Sequence, residues 1–309
     1  MKLGALSISD YAAERLGAHG STGSVHSVFR TSLNVEFDGM LFHIGSTDAP
    51  LSCLGASVDV GDVSRLVGIA RQGDRAIFHE GVLRLYCRGA VEEIDFAHAR
   101  IQDLSVPSVS PYGLENLDIR LYPEISGMNL PARIGLPWDQ RASRSLAGLA
   151  RLSSACYAAW DAERTGASIP HERIEGALRD ARGAITHLLG RGLGLTPSGD
   201  DVLCGFGCGL CYQWRADSAG FDAWHEFSGE VLKAIPGRTT AVSEAYLVAM
   251  CEGYVNEDYI GLLDAMGSHD RRRLGRALAK VLEMGHTSGA DSLLGFAAAF
   301  CCLPEHAVL

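Results

Sequence analysis

Gly194-Leu195-Thr196-Pro197-Ser198-Gly199-Asp200-Asp201-Val202-Leu203-Cys204-Gly205-Phe206 returns later in the chain as Gly285-His286-Thr287-Ser288-Gly289-Ala290-Asp291-Ser292-Leu293-Leu294-Gly295-Phe296. Without Pro197 the two copies share Gly, Thr, Ser, Gly, Asp, Leu, Gly and Phe in order. Each reads as a loop feeding the N-terminus of a buried helix. Such an end presents unpaired backbone N–H groups and the positive end of the helix dipole, which suits an anion. Two such ends in one domain are expected to hold the two ends of one small anionic substrate.

Capping accounts for part of this pattern. Ser198 with Asp201, and Ser288 with Asp291, are Ser-x-x-Asp, close to a capping box, with Ser as N-cap and Asp at the third helical position. Capping leaves Gly194 and Gly285, Thr196 and Thr287, and the additional Asp200 unexplained. Glycines and hydroxyls ahead of a cap are what a backbone needs to approach a ligand closely.

The repeated helices carry a second signal. Gly205, Gly207 and Gly209 lie within one helix, each costing up to about 1 kcal/mol against Ala. Tight packing on another backbone offsets that cost, and the other repeat helix, with Gly295, is the expected partner. If the two lie side by side, their loops meet at one edge. A third loop, Pro236-Gly237-Arg238-Thr239-Thr240 followed by Ser243, has the same glycine and hydroxyl chemistry at a helix start. It is placed in the same pocket.

Working outward, residues 143–164, 171–189, 199–215, 221–234, 240–253, 259–266, 271–284 and 289–303 have helical patterns. The first part reads as β. Leu33, Val35 and Phe37 alternate with polar residues, Asp38-Gly39 makes a hairpin turn and residues 40–44 return. Residues 76–78 and 82–87 make a second hairpin, 91–96 add a strand and 60–71 form a short helix. Residues 106–137 carry Pro107, Pro111, Pro123, Pro131 and Pro137 and form a loop-rich link. Strands first and helices second predict an α+β fold: a mainly β N-terminal domain over 1–140, then an all-helical domain over 141–309 containing the loop–helix repeat.

Bulk properties bound the function. The chain has 309 residues, 47% hydrophobic and 21% charged, ordinary for a soluble globular enzyme. Its 27 basic and 37 acidic residues give a net charge of -10, which argues against a nucleic-acid partner. The start has no apolar core of signal type and no apolar run is long enough to span a bilayer, so the expected location is the cytoplasm. Nine cysteines lie mostly in apolar sequence and are expected to be reduced core thiols. Cys204-x3-Cys208-x2-Cys211 has the spacing of a radical-SAM cluster, yet the three fall on one face of an apolar helical run, as core residues do. Cys301-Cys302 reads as helix-end packing.

Candidate site residues follow from these loops. Asp200 and Asp201 are adjacent and point about 100° apart on a helix, so one caps and the other faces the pocket as base, amide acceptor or magnesium ligand. Asp291 corresponds to Asp201 and would share a metal with Asp200, since hard cations take carboxylate oxygens. His286 could donate to substrate or shuttle a proton. Thr196, Ser198, Gly199, Thr239, Thr240, Ser243, Thr287, Ser288 and Gly289 are the substrate-binding hydroxyls and backbone positions. Of Arg30, Arg182, Arg191 and Arg238, Arg238 is best placed as an anion clamp. His26 lies on an apparent strand, where packing is the simpler role, and is carried as a further substrate contact.

The Thr-Pro-Ser-Gly-Asp-Asp loop, Gly237-Arg238-Thr239-Thr240 with Ser243, and Gly285-His286-Thr287-Ser288-Gly289 with Asp291 resemble the AllH-like family. Ser24-Val25-His26-Ser27-Val28-Phe29 with Asn34 is similar to the family's opening. The resemblance spans residues 20–300 and implies a subunit of oxamate carbamoyltransferase, in bacterial allantoin and purine breakdown. The implied reaction is oxalurate plus phosphate giving oxamate plus carbamoyl phosphate, in either direction, and it needs no redox cofactor. Such catalysis is mainly positioning and preorganised electrostatics. The partners implied are a small anionic substrate and other subunits of a complex, or a second copy. Two alternatives stand beside it: a magnesium-dependent hydrolase or phosphotransferase using Asp200, Asp201 and Asp291, and a non-catalytic metabolite-binding subunit.

Overall fold

The computed structural model describes residues 2–16, 21–108, 124, 125, 127–168, 170–215, 223–268 and 270–301. Two compact units divide the chain. One is Met1–Ser105 with Tyr254–Asp258, and the other is Val106–Gly253 with Tyr259–Leu309.

The first unit is built on β1 (Lys2–Ser9), β2 (Ser21–Val28), β3 (Leu33–Phe37), β4 (Met40–Ser46), β5 (Gly55–Val58), β6 (Arg75–His79), β7 (Val82–Cys87), β8 (Ala90–Asp95) and β9 (Arg100–Gln102), with helices α1 (Asp10–Leu16) and α2 (Val60–Ile69). Asp38 and Gly39 both have positive φ, +49° and +84°, the backbone a two-residue hairpin turn needs. Glu80 and Gly81 repeat it at the β6–β7 turn. Along β6 and β7 buried and exposed residues alternate, the period-2 pattern of a strand with one face on a core.

The sheet order β5-β4-β3-β2-β6-β7-β8-β1 is closed by a further pairing of β1 with β5, and β9 adds to β1. β1 makes this closure by changing partners along its length. Residues 2–4 pair parallel with β8, Ala5 faces Val58 and Ile8 faces Ala56 antiparallel, and residues 7–9 pair parallel with β9. Closure removes the unpaired edges that a hairpin array would expose. Leu33, Val35, Phe42, Ile44, Leu83, Leu85 and Ile94 fill the interior.

This corrects the expected fold on two points. The N-terminal part is a closed barrel with two helices built into it, because β1 zips β5 to β8. The helical region is also not a self-contained C-terminal domain. Residues 254–258 leave it and join the barrel unit. Tyr254 bridges Ser105, Val255 N–H donates to the Leu104 carbonyl at 3.1 Å, Asn256 Oδ1 accepts from Cys53 N–H at 3.0 Å, and Glu257 Oε2 accepts from Leu51 N–H at 2.8 Å.

The second unit holds α3 (Gln140–Thr165), α4 (His171–Leu188), α5 (Ser198–Trp214), α6 (Ala223–Ala234), α7 (Ala241–Cys251), most of α8 (Glu257–Gly267), α9 (Arg271–Leu282) and α10 (Ser288–Ala299), with a 3-10 turn at Leu130–Ala132. Asp139 caps α3, accepting from Arg141 and Ala142 N–H, and Gly166 at φ +70° ends it. Pro111, Pro123, Cys302 and residues 221–222 and 302–303 of the expected helices lie outside the described residues.

α5 and α10 are the centre of this unit, and glycines set their approach. A Cβ on Gly205 would land on the Ser292 carbonyl, and one on Gly295 would land on the Val202 carbonyl. Positions 202 and 292, and 205 and 295, are equivalent in the repeat, so the contact is the same from both sides. Gly199 against the Leu188 carbonyl and Gly289 against the Val281 carbonyl repeat the relation with the preceding helices. Phe206, Phe227, Phe296 and Phe300 are fully buried around this contact. Cys208 and Cys211 belong to the same core, where burial pushes the Cys211 thiol up to about 12. The cysteines among the described residues carry free thiols.

Candidate functional site

The N-terminal ends of α5 and α10 meet. Thr196 Oγ1 lies 3.2 Å from Ser288 Oγ, and a Cβ on Gly135 would sit 2.5 Å from Ser198 Oγ and 2.6 Å from Thr287 Oγ1. Gly135 therefore lies between hydroxyls of both repeats. Neither serine is an N-cap. Pro197 holds that position on α5 and Thr287 on α10, without a side-chain cap bond. This corrects the capping expectation: the serines stand at the first helical position, which frees their hydroxyls from capping.

Those hydroxyls cross between the copies. The Ser288 and Thr196 hydroxyls lie against the Asp201 carboxyl and favour its ionised form, while those of Ser198 and Thr287 do the same at Asp291. Each acid thus receives one hydroxyl from its own loop and one from the other repeat.

Beyond this shared frame the acids differ. Asp291 is fully buried, and its Oδ1 accepts from Gly135 N–H at 3.1 Å and Leu136 N–H at 3.4 Å, with Oδ2 3.2 Å from Gly135 N. Burial raises its pKa, against these amides and hydroxyls. Asp201 is half-buried as a residue, but its Oδ2 is buried and has no hydrogen-bond partner among the described residues. Burial pushes its carboxyl up to about 8 against the pull of the Ser288 hydroxyl, and the Asp291 and Asp200 charges add to the rise.

Asp200, expected to face a pocket, is instead fully buried and saturated. Oδ1 accepts from Gly190 N–H at 2.6 Å, and Oδ2 accepts from the Ser243 hydroxyl at 2.6 Å and from the Thr239 hydroxyl. It ties the 189–197 loop to the loop before α7. Thr240 caps α7, accepting from Ser243 N–H at 3.1 Å, and its hydroxyl donates to the Leu195 carbonyl. The three loops of the sequence reading are thereby joined, with 133–137 as a fourth element.

The magnesium expectation does not fit these partners. The oxygens of Asp200 and Asp291 are taken by N–H and O–H donors, and among the described residues no three of His, Cys, Asp or Glu are grouped to hold a metal.

Other candidates sit at the margin. His286 is exposed on the loop before α10. Arg238 is exposed and donates to the Thr186 carbonyl at 2.8 Å, and Arg182 pairs with Glu230 at 3.3 Å. His26 belongs to β2 of the barrel unit, with Nδ1 3.2 Å from Ser27 Oγ.

Arg191, set aside from sequence, is bonded to the first repeat through its backbone. Its carbonyl accepts Gly199 N–H at 2.8 Å, and its guanidinium reaches Asp139 at 3.1 Å. Its Nε is buried without a partner among the described residues. Gly135, Leu136 and Asp139 were missed. Gly135 and Leu136 end a proline-rich stretch whose Gly-Leu-Pro has no helix-start chemistry, and Asp139 offers only the N-cap of α3.

Paired helix starts ringed by hydroxyls, with a carboxyl that burial pushes up to about 8 between them, are an arrangement that can hold a small polar anion and move a proton to or from it. Two family models match the chain: the AllH family N-terminal domain over residues 4–101, and oxamate carbamoyltransferase subunit AllH over residues 188–300. The chain belongs to the AllH family. No solved structure matches it. Among the described residues no helix is long and apolar enough to cross a membrane.

Proposed function

We propose that this chain is a subunit of a cytoplasmic carbamoyltransferase of allantoin breakdown that exchanges a carbamoyl group between oxalurate and phosphate. A phosphate oxygen attacks the carbamoyl carbon of oxalurate, the bond from that carbon to the oxamate nitrogen breaks, and carbamoyl phosphate and oxamate result. The departing nitrogen is a poor leaving group without a proton. Asp201, protonated at neutral pH, donates that proton, and in the reverse direction its carboxylate removes one from the oxamate amide. Negative charge on the carbamoyl oxygen is met by hydroxyls and helix-start N–H groups, which need no reorganisation. Arg191 is the proposed clamp for the anionic end of the substrate.

The observation that carries this reading is the Asp201 carboxyl set beside the starts of both repeat helices, with a buried oxygen that no described residue engages; burial there pushes it up to about 8. An acid kept neutral there matches the one proton the transfer must move. The reaction partners are a small anion and further subunits of the complex; a homo-oligomer of this chain is the simpler assembly.

The test is oxalurate phosphorolysis by the chain with its co-encoded partners, wild type against Asp201→Asn. Turnover is expected to fall by about 10²–10⁴ with an unchanged thermal melt. Near-wild-type turnover in the variant would remove Asp201 from the chemistry.

A further inference from the structure

The two halves of the site are built alike, and one of them is filled by the protein itself. At Asp291 the Ser198 and Thr287 hydroxyls lie against the carboxyl, Gly135 lies against both hydroxyls, and the Gly135 and Leu136 N–H groups complete the carboxylate. At Asp201 the Ser288 and Thr196 hydroxyls stand in the equivalent places. Among the described residues no backbone amide is bonded to Asp201 Oδ2. Asp201 Oδ2 is buried and has no partner among the described residues, a costly state for a carboxyl oxygen.

The segment at Asp291 is informative because of what it offers: a flat amide group with an N–H, free of a side chain at residue 135. A Cβ there would collide with both hydroxyls. The segment seated at Asp291 thus has the shape and donor pattern of a small amide. The geometry points to Asp201 as the docking point for the substrate's amide nitrogen: a primary amide or ureido N–H crosses Ser288 and Thr196 and meets Asp201 Oδ2 as the Gly135 and Leu136 N–H groups meet Asp291. This rests on the carbamoyl-transfer reading and adds how the substrate is oriented. The amide nitrogen lies against Asp201 in both directions of the reaction, and a keto acid lacking that nitrogen is bound more weakly. Asp200 cannot serve this role, since its oxygens are occupied by Gly190, Ser243 and Thr239.

Oxamate and pyruvate separate the claim cleanly. They share size and charge, but pyruvate carries a methyl group where oxamate carries the amide nitrogen. Calorimetric binding of each, with inorganic phosphate present and the chain in its native assembly, is the measurement. Wild type is expected to favour oxamate by roughly three- to tenfold, the worth of a hydrogen bond to a neutral carboxyl. Asp201→Ala is expected to bind the two equally by weakening oxamate alone. A wild-type preference near unity overturns the inference while leaving carbamoyl transfer standing, and that ratio decides the matter even if the variant fails to fold. A full preference retained in folded Asp201→Ala also overturns it. Binding of neither compound by wild type would sink the carbamoyl-transfer reading and this inference with it.

Discussion

Asp201 and Asp291 occupy the same position of a repeated segment and have opposite surroundings. Asp291 is enclosed by two backbone N–H groups and two hydroxyls. Asp201 has two hydroxyls, the nearby charges of Asp291 and Asp200, and a buried oxygen with no partner among the described residues. The difference comes from a single segment, 135–136, which closes one half of the pair. A repeat supplies a symmetric frame, and an unrelated piece of chain then fills one half and leaves the other with a buried carboxyl oxygen that no described residue engages.

The frame itself gives the largest expected effect. Gly205→Val and Gly295→Val each drive a side chain into a backbone carbonyl of the other helix. Each is expected to cost more than about 4 kcal/mol, read as loss of the cooperative melt. Equal damage supports the two-fold contact. A silent variant on one side would break it.

Next is Asp200, which has no counterpart in the second copy, where Ala290 stands. Asp200→Ala strands Gly190 N–H and two hydroxyls and is expected to cost about 3 kcal/mol in chemical denaturation. A loss confined to turnover, with stability intact, would return Asp200 to the chemistry. The smallest effect separates the crossed serines. Ser198→Ala removes a donor from Asp291 and is expected to lower stability by about 1 kcal/mol. Ser288→Ala removes one from Asp201 and is expected to move the pH dependence of turnover instead. Identical behaviour of the two would contradict the crossed pattern.

Much of the helical frame was legible because its signals are local. Glycine spacing gave the α5–α10 contact, and Gly194, Thr196, Thr287 and their neighbours gave the meeting loops. The Asp38-Gly39 turn marked the β3–β4 hairpin. What was not legible depended on distant pairings. Lys2–Ser9 closes the barrel by pairing with strands fifty and ninety residues away, and no strand is read there from its sequence. Asp200 and Asp201 are both acids in one helical turn. Only Gly190, Thr239 and Ser243, brought in by other loops, make the first structural. Gly135 carries no pattern that ties it to Asp291. Arg191 resembles a surface arginine until Asp139 is seen beside it.

The protonation of Asp201 is the claim on which the functional reading turns. Its folded pKa lies above the unfolded carboxylate value, so its stabilising contribution is full below about pH 4 and lost as pH rises through about 8. The direct measurement is the infrared carbonyl band of a protonated carboxylic acid, taken as the difference between wild type and Asp201→Asn across this range. The account predicts a band present at pH 7 that disappears near pH 8, with the fall in melting temperature over the same interval flattened in the variant. A band already absent at pH 7, with titration near pH 4, would show Asp201 to be an ordinary carboxylate and contradict the account.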